Sequence, residues 1–302
     1  MKTTEMHKLT LDKAQEIASE RLNELYVSYL DNTPSLELKN AMEYSLLNGG
    51  KRLRPLLIYA TGSVFKAPIE NLDTAAAAVE LIHTYSLIHD DLPGMDNAAM
   101  RRGRPACHKT FGDGMAILAG DALHTFAMQI IACHQAPLKA DRRIQMIAAL
   151  STACGPFGMA AGQALDLTVM TDDSISSRVL EDIYRLKTGA LLTACIELGW
   201  LASNDDDDVN LQALRDFGSH IGLAFQIQDD IMDIEADSDD IGKPSGLDSD
   251  NHKFTYPKLH GIDEAKQKVE TLYEQALQAI DYLGEDAQIL RELAKKMLKR
   301  KR

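Results

Sequence analysis

Proline and glycine are scarce, 9 and 19 in 302 residues. So few breakers, beside abundant alanine and leucine, favour helices over a strand-and-turn fold. No segment alternates apolar and polar residues over a sheet's worth of strands. Cys107, Cys133, Cys154 and Cys195 have neither CxxC pairing nor zinc spacing. They are expected to be small buried hydrophobes in a reducing compartment. Basic excess is missing too. The net charge of -13 makes nucleic acid and anionic membranes poor partners for the surface as a whole. No apolar run approaches the roughly 20 residues that span a bilayer. The opening MKTTEMHKLTLDKAQEIASER is too polar for a signal peptide. A cytoplasmic protein with no membrane span is expected.

Hydrophobic residues make up 45% and charged residues 25%, enough for a sizeable core. Amphipathic or apolar helical patterns are predicted at about 11–30, 36–47, 53–65, 71–92, 113–134, 141–153, 159–168, 176–201, 211–234, 263–283 and 285–299. The polar stretch 237–252 reads as a loop. No linker, composition shift or fixed-period repeat divides the chain. One all-α domain over residues 1–302, a bundle of ten or more helices, is expected.

Two acidic clusters stand out at the predicted ends of long apolar helices. They are His89-Asp90-Asp91-Leu92-Pro93-Gly94-Met95-Asp96 and Gln226-Ile227-Gln228-Asp229-Asp230-Ile231-Met232-Asp233. A helix C-terminus carries partial negative charge, so carboxylates gathered there call for a cation. Asp229 and Asp233 are i,i+4 on one face, with Gln226 a turn earlier. Pro93-Gly94 breaks the first helix and lets Asp96 fold back. Hard oxygen ligands of this kind suit Mg²⁺ shared with substrate phosphates. Asp205-Asp206-Asp207-Asp208 is denser in charge, yet no apolar helix carries it inward, and it reads as a solvated loop.

Basic residues occur where phosphate could be met. Gly49-Gly50-Lys51-Arg52-Leu53-Arg54-Pro55 sets a flexible turn before a helix, whose N-terminus favours an anion. Lys51 and Arg54, i,i+3, could converge on a diphosphate. Arg101-Arg102-Gly103 follows the first acidic cluster. Lys187-Thr188-Gly189 lies on a helix, and Lys243 and Lys253 lie in or beside the loop after the second cluster. His83 sits about two turns before Asp90 on nearly the same face. The tail from Lys295 to Arg302 is strongly basic.

These motifs, with Gly162-Gln163-Ala164-Leu165-Asp166-Leu167, resemble those of the trans-isoprenyl diphosphate synthases, in the family's order from about Gly49 to Pro257. The gap of four between Asp91 and Asp96 is similar to that of the bacterial farnesyl and plant-type geranylgeranyl members. The resemblance implies a homodimeric helical bundle around a central cavity. It implies condensation of isopentenyl diphosphate with an allylic diphosphate, dimethylallyl or geranyl. By matching position, Asp90, Asp91, Asp96 and Asp229 would bind three Mg²⁺, supported by Asp230 and Asp233. Arg101, Lys187 and Lys243 would contact the allylic diphosphate. Lys51, Arg54, His83 and Arg102 would hold isopentenyl diphosphate. Lys253 and the basic tail would help close the site, and Thr188 and Gln226 would steady an allylic cation. Asn97-Ala98-Ala99 departs from the acidic run of many relatives.

Product length in this family follows the residues four and five positions before the first cluster, here Ser86 and Tyr85. An aromatic at the fifth position resembles the farnesyl enzymes. Helical geometry alone does not force this, since Tyr85 lies about 140° around the helix from Asp90. Geranylgeranyl or geranyl synthesis is the alternative. A terpene cyclase should lack the second DDxxD and the Lys51/Arg54 turn, and a non-catalytic partner subunit should have damaged aspartate clusters.

Overall fold

The computed structural model describes residues 11–133, 135–169, 175–239 and 254–299, so Lys243 and Lys253 fall outside the described residues. The chain divides into two compact units, Met1–Ala148 with Leu198–Asp205, and Ala149–Glu197 with Asp206–Arg302. Among the described residues both are helical, apart from one two-stranded hairpin.

The first unit holds α1 (Leu11–Leu30), α2 (Leu36–Leu46), α3 (Leu53–Val64) and α4 (Ile69–Asp90). A hairpin of β1 (Met100–Arg101) and β2 (Arg104–Pro105) follows, then α5 (Cys107–Phe111) and α6 (Asp113–Cys133). The start of α7 (Ala140–Cys154) and the end of α10 (Ala190–Leu201) also belong here. Ser35 caps α2, its Oγ accepting from the Leu38 amide at 3.3 Å.

Helix α4 is the core of this unit. From Asn71 to Ile82 every side chain is buried, as befits a helix that is apolar nearly all round. It packs against α3 on one side and α6 on another. Two polar groups on it receive the amphipathic α1. Asp73, 5% exposed, accepts from Arg21 Nε at 3.0 Å and from the Tyr59 hydroxyl at 2.5 Å. The Ala77 carbonyl accepts from the Tyr26 hydroxyl at 3.3 Å. Burial, then Asp73, pushes the Tyr59 hydroxyl well above its usual pKa, so it stays a donor.

The second unit holds α8 (Met159–Val169), α9 (Ser177–Tyr184), a π-helical segment Arg185–Gly189, most of α10, and α11 (Asp208–Asp239). It continues with α12 (Tyr256–His260), α13 (Ile262–Ala279), a 3₁₀ segment Asp281–Ala287 and α14 (Gln288–Leu298). Helix α11 packs along α13. The acidic run before α11 is exposed at Asp206, Asp207 and Asp208, as expected. It also starts the helix: Asp207 Oδ1 accepts from the Val209 amide at 2.9 Å, and Asp208 lies in the positive first turn.

Several expectations change. Helix α11 runs to Asp239, past the stop expected near 234, so the second acidic cluster lies inside a helix. Buried Ile227 and Ile231 keep that face in the core and carry the helix through its charges. The predicted helix over 176–201 contains the π segment. Cys107, Cys154 and Cys195 are buried but Cys133 is exposed. Two stretches, Asp113–Cys133 and Ala140–Thr168, are long and apolar enough to cross a membrane by length and composition, although no such run was expected. The second is broken by a turn over residues 155–158, which leaves two helices each shorter than a bilayer needs.

The Arg21–Asp73–Tyr59 contact docks α1. Asp73→Ala should therefore cost roughly 3 kcal/mol, by leaving a guanidinium and a buried hydroxyl without their acceptor. Urea unfolding checks this, and a loss below about 1 kcal/mol would show that α1 is held by apolar packing alone.

Candidate active site

In the first unit α4 ends on the first acidic cluster, with Asp91 as its C-cap. The next residues form a compact turn. The Met95 and Asn97 amides donate to the Leu92 carbonyl at 2.9 and 3.1 Å, and the Asp96 amide donates to the Asp90 carbonyl at 2.9 Å. Asp96 thus folds back beside the helix end, as Pro93-Gly94 predicted. The neighbouring carboxylates differ sharply. Asp90 is half-buried and Asp96 exposed, whereas Asp91 is 2% exposed and gripped by Arg101. Arg101 Nε donates to both Asp91 oxygens at 3.1 Å, and Nη2 also donates to Oδ1. This bond to Asp91 raises the Arg101 pKa, against the effect of burial. Asn48, just past α2, steadies the hairpin, its Nδ2 donating to the Arg101 carbonyl at 3.2 Å.

The basic turn lies in the same unit. Lys51 is exposed ahead of α3. Arg54 Nη1 meets His83 Nε2 at 3.3 Å. Accepting that donor places the His83 proton on Nδ1, which is buried and has no hydrogen-bond partner among the described residues. Burial first, and then Arg54, Arg102, Arg52 and Arg101, hold the His83 pKa well below its usual 6.5. The ring is a neutral donor in a cationic neighbourhood, a surround that favours an anion. Arg102 reaches back to the turn, its Nη1 donating to the Gly49 carbonyl at 2.7 Å.

The predicted floor residues also separate. The Tyr85 ring stands edge-on to His89 and to His124 of α6, with centroids 5.1 Å away in each case. Ser86 turns back on its own helix, its Oγ donating to the His83 carbonyl at 2.9 Å.

In the second unit, Lys187 and Thr188 sit in the π segment. Gly162 of α8 presses against it: a Cβ there would lie 2.2 Å from the Lys187 nitrogen, so only glycine permits this approach. Lys187 Nζ bonds Asp166 Oδ2 of the same α8 at 2.6 Å. The Thr188 hydroxyl donates to Gln226 Oε1 at 2.8 Å, and Gln226 Nε2 reaches Asp230 Oδ1 at 3.4 Å. Asp230, 7% exposed, also accepts from the Tyr184 hydroxyl and, at 3.2 Å, from the Tyr256 amide. Burial, then Asp230, pushes the Tyr184 pKa upward. Asp229 is half-buried and Asp233 exposed.

Among the described residues, no three His, Cys, Asp or Glu side chains form a ready-made metal cage. The donor set still fits Mg²⁺, which typically takes one or two carboxylates and completes its shell with substrate oxygens and water. In the first unit Asp90 and Asp96 offer carboxylates of that kind, and in the second unit Asp229 and Asp233 do. Asp91 and Asp230 are already engaged by protein donors.

Sequence reasoning missed Glu80 and Arg52, a buried ion pair, and Tyr184, the partner of Asp230. Glu80 left a signal, since it is a lone acid in the apolar run Ala75–Ile82.

Comparison with known proteins identifies the family. The polyprenyl synthetase family model matches residues 35–292. The farnesyl diphosphate synthase of Haemophilus influenzae is 48% identical over 272 residues, covering 89% of this chain and 90% of that protein. That of Escherichia coli is 46% identical over 273 residues, with the same coverage. The crystal structure of a geranyltransferase from Legionella pneumophila superposes with a TM-score of 0.84 at 36% identity, covering 98% of this chain and 97% of that one. The chain belongs to the polyprenyl synthetase family.

The lowered His83 pKa has a consequence for stability. Below about pH 6.5 the unfolded chain binds a proton that the folded chain refuses, so stability falls as pH drops through that value toward the folded pKa. His83→Gln should weaken this dependence between pH 7.5 and 5.5 in urea titrations. An unchanged slope would mean that the ring accepts its proton in the folded state.

Proposed function

We propose that this chain is a farnesyl diphosphate synthase. It condenses isopentenyl diphosphate head to tail (1'-4) with dimethylallyl diphosphate and then with geranyl diphosphate. Relatives of that name, 46 to 48% identical over nine-tenths of their length, support the product. The observation that carries the two-substrate reading is the group of Lys51, Arg54 and Arg102 around the neutral His83 ring, which suits a second anion. An enzyme that only ionised one diphosphate would not need it.

In this reading the two units act as one catalytic domain of a homodimer in the cytoplasm. The exposed Ile117 and Leu118 on the outer face of α6 suit burial against a second copy. Asp90, Asp96 and Asp229 would hold the allylic diphosphate through three Mg²⁺, joined by Asp91 once it exchanges Arg101 for the metal, with Asp230 and Asp233 in support. Arg101, Lys187 and Lys243 contact the same diphosphate, Lys253 assists closure, and Lys51, Arg54, His83 and Arg102 orient isopentenyl diphosphate. When bound, Mg²⁺ supplies Lewis-acid charge to the departing diphosphate.

The C1–O bond of the allylic substrate breaks, and its electron pair leaves with diphosphate. The double bond of isopentenyl diphosphate forms the new carbon–carbon bond at C1, and the resulting cation loses a proton to a diphosphate oxygen. No protein base is required. Arg101 and Lys187 balance charge on the leaving group. Thr188 commits its proton to Gln226, which leaves its oxygen lone pairs for the allylic cation. Water, which would capture that cation, must be excluded. Tyr85, braced by His89 and His124, limits the length of the growing chain.

Purified protein given Mg²⁺, isopentenyl diphosphate and either starter should release mainly a fifteen-carbon diphosphate. Product sizing by chromatography decides this, and a dominant ten- or twenty-carbon product would overturn it. Tyr85→Ala should lengthen the product, whereas an unchanged length would remove Tyr85 from the floor. Asp90→Ala and Asp229→Ala should each lower turnover on the order of a thousandfold, about 4 kcal/mol of transition-state stabilisation. Near-normal rates in either would undo the metal assignment.

A further inference from the structure

Arg52 sits at the N-terminus of α3 in the left-handed region, with φ 46°. A side chain there costs roughly 1–2 kcal/mol in backbone strain. The turn before it is also left-handed at Gly49 and Gly50, with φ 67° and 121°. Something must hold this path, and the Arg52 guanidinium does so. It is 4% exposed, with Nη1 donating to Glu80 Oε1 at 2.5 Å and Nη2 to the Leu46 carbonyl at 2.7 Å. Nη2 also lies 3.4 Å from Asn23 Oδ1. Glu80 is 1% exposed on α4, three residues before His83. One buried side chain thus ties the turn to α1, α2 and α4.

The flanking residues go elsewhere. Lys51 is exposed, and Arg54 meets His83. Arg102 closes the turn from the other side. A Cβ on Gly50 would lie 2.8 Å from its Cζ, so the guanidinium packs directly on that glycine's backbone. Arg52, Arg54, Arg101 and Arg102 all act on His83, so the cluster is self-repelling before any anion arrives. Two buried carboxylates face it, Asp91 bonded to Arg101 and Glu80 bonded to Arg52. The charge of Glu80 acts on Arg102 in the sense opposite to those of Arg52, Arg101 and Arg54.

We propose that Glu80 and Arg52 are a positioning pair for the isopentenyl diphosphate subsite. Glu80 anchors Arg52 beneath the turn and offsets the cationic cluster, so that Lys51 and Arg54 are set for one diphosphate before it binds. Neither member touches substrate. The proposal rests on the reading that Lys51, Arg54, His83 and Arg102 form that subsite.

A buried ion pair is often replaceable by apolar residues without loss of stability. A purely structural pair would therefore leave substrate binding intact in the double variant Glu80→Met/Arg52→Met. The positioning pair predicts a folded protein, by circular dichroism and urea midpoint, whose KM for isopentenyl diphosphate rises about tenfold or more. Its KM for geranyl diphosphate and its kcat should change less than about twofold. Glu80→Gln keeps an acceptor for Arg52 but loses the charge, so its KM should lie between the two; it carries the test if the double variant does not fold. Lys51→Ala, measured in parallel, should also raise the KM for isopentenyl diphosphate. An unchanged KM in the double variant, or in Glu80→Gln where that variant carries the test, overturns the proposal. A normal KM in Lys51→Ala overturns the subsite reading and the proposal with it.

Discussion

In each acidic cluster one carboxylate is committed to the protein and its neighbour is turned another way. Asp91 is buried and held by Arg101; Asp230 is buried and held by Tyr184, Gln226 and the Tyr256 amide. A buried carboxylate without such donors would be very costly or would take up a proton. Successive residues on a helix point about 100° apart, so fixing one member of the pair fixes the heading of the other. Holding Asp91 and Asp230 therefore helps to set the headings of Asp90 and Asp229. The wider arrangement follows from this: the returning turn that brings up Asp96, the hairpin that delivers Arg101, and the Gln226 amide that orients Thr188.

Most of this was written in local sequence. Helix positions followed from apolar periodicity, and the return of Asp96 from Pro93-Gly94. The failures were of two kinds. Some were local features too short to leave a pattern, such as the two-residue strands of the hairpin. Others were decided by tertiary packing. Helix α11 should have stopped at its acidic cluster by charge alone, but buried Ile227 and Ile231 carry it on. The candidate residues were legible as a set but not as pairs. Arg101 with Asp91, Lys187 with Asp166 and Tyr184 with Asp230 each join separate elements, and no spacing rule connects them.

Charge shows the same limit. A chain of net charge -13 contains a compact patch of guanidinium groups, because overall charge says little about a few residues gathered by folding. The backbone marks that region as well. Among the described residues, four non-glycine positions have positive φ, and Arg52, Asn97 and Arg102 are three of them, all beside the candidate anion and metal groups. Strained conformations persist where surrounding contacts over-determine them, and here those contacts include a buried ion pair and a guanidinium packed on glycine.

The π segment fixes more than the position of two side chains. A wide turn carries one more residue than the α-helical path it interrupts, so the helix beyond it resumes with its faces rotated by about 100°. Residues on either side of Arg185–Gly189 keep their core contacts only while that extra residue stays. Substitution can explore this stretch, but loss of a single residue would bring different side chains of α10 to the core. Gene variants in the region should therefore preserve reading length even where they drift in composition, and an alignment gap placed within it is suspect.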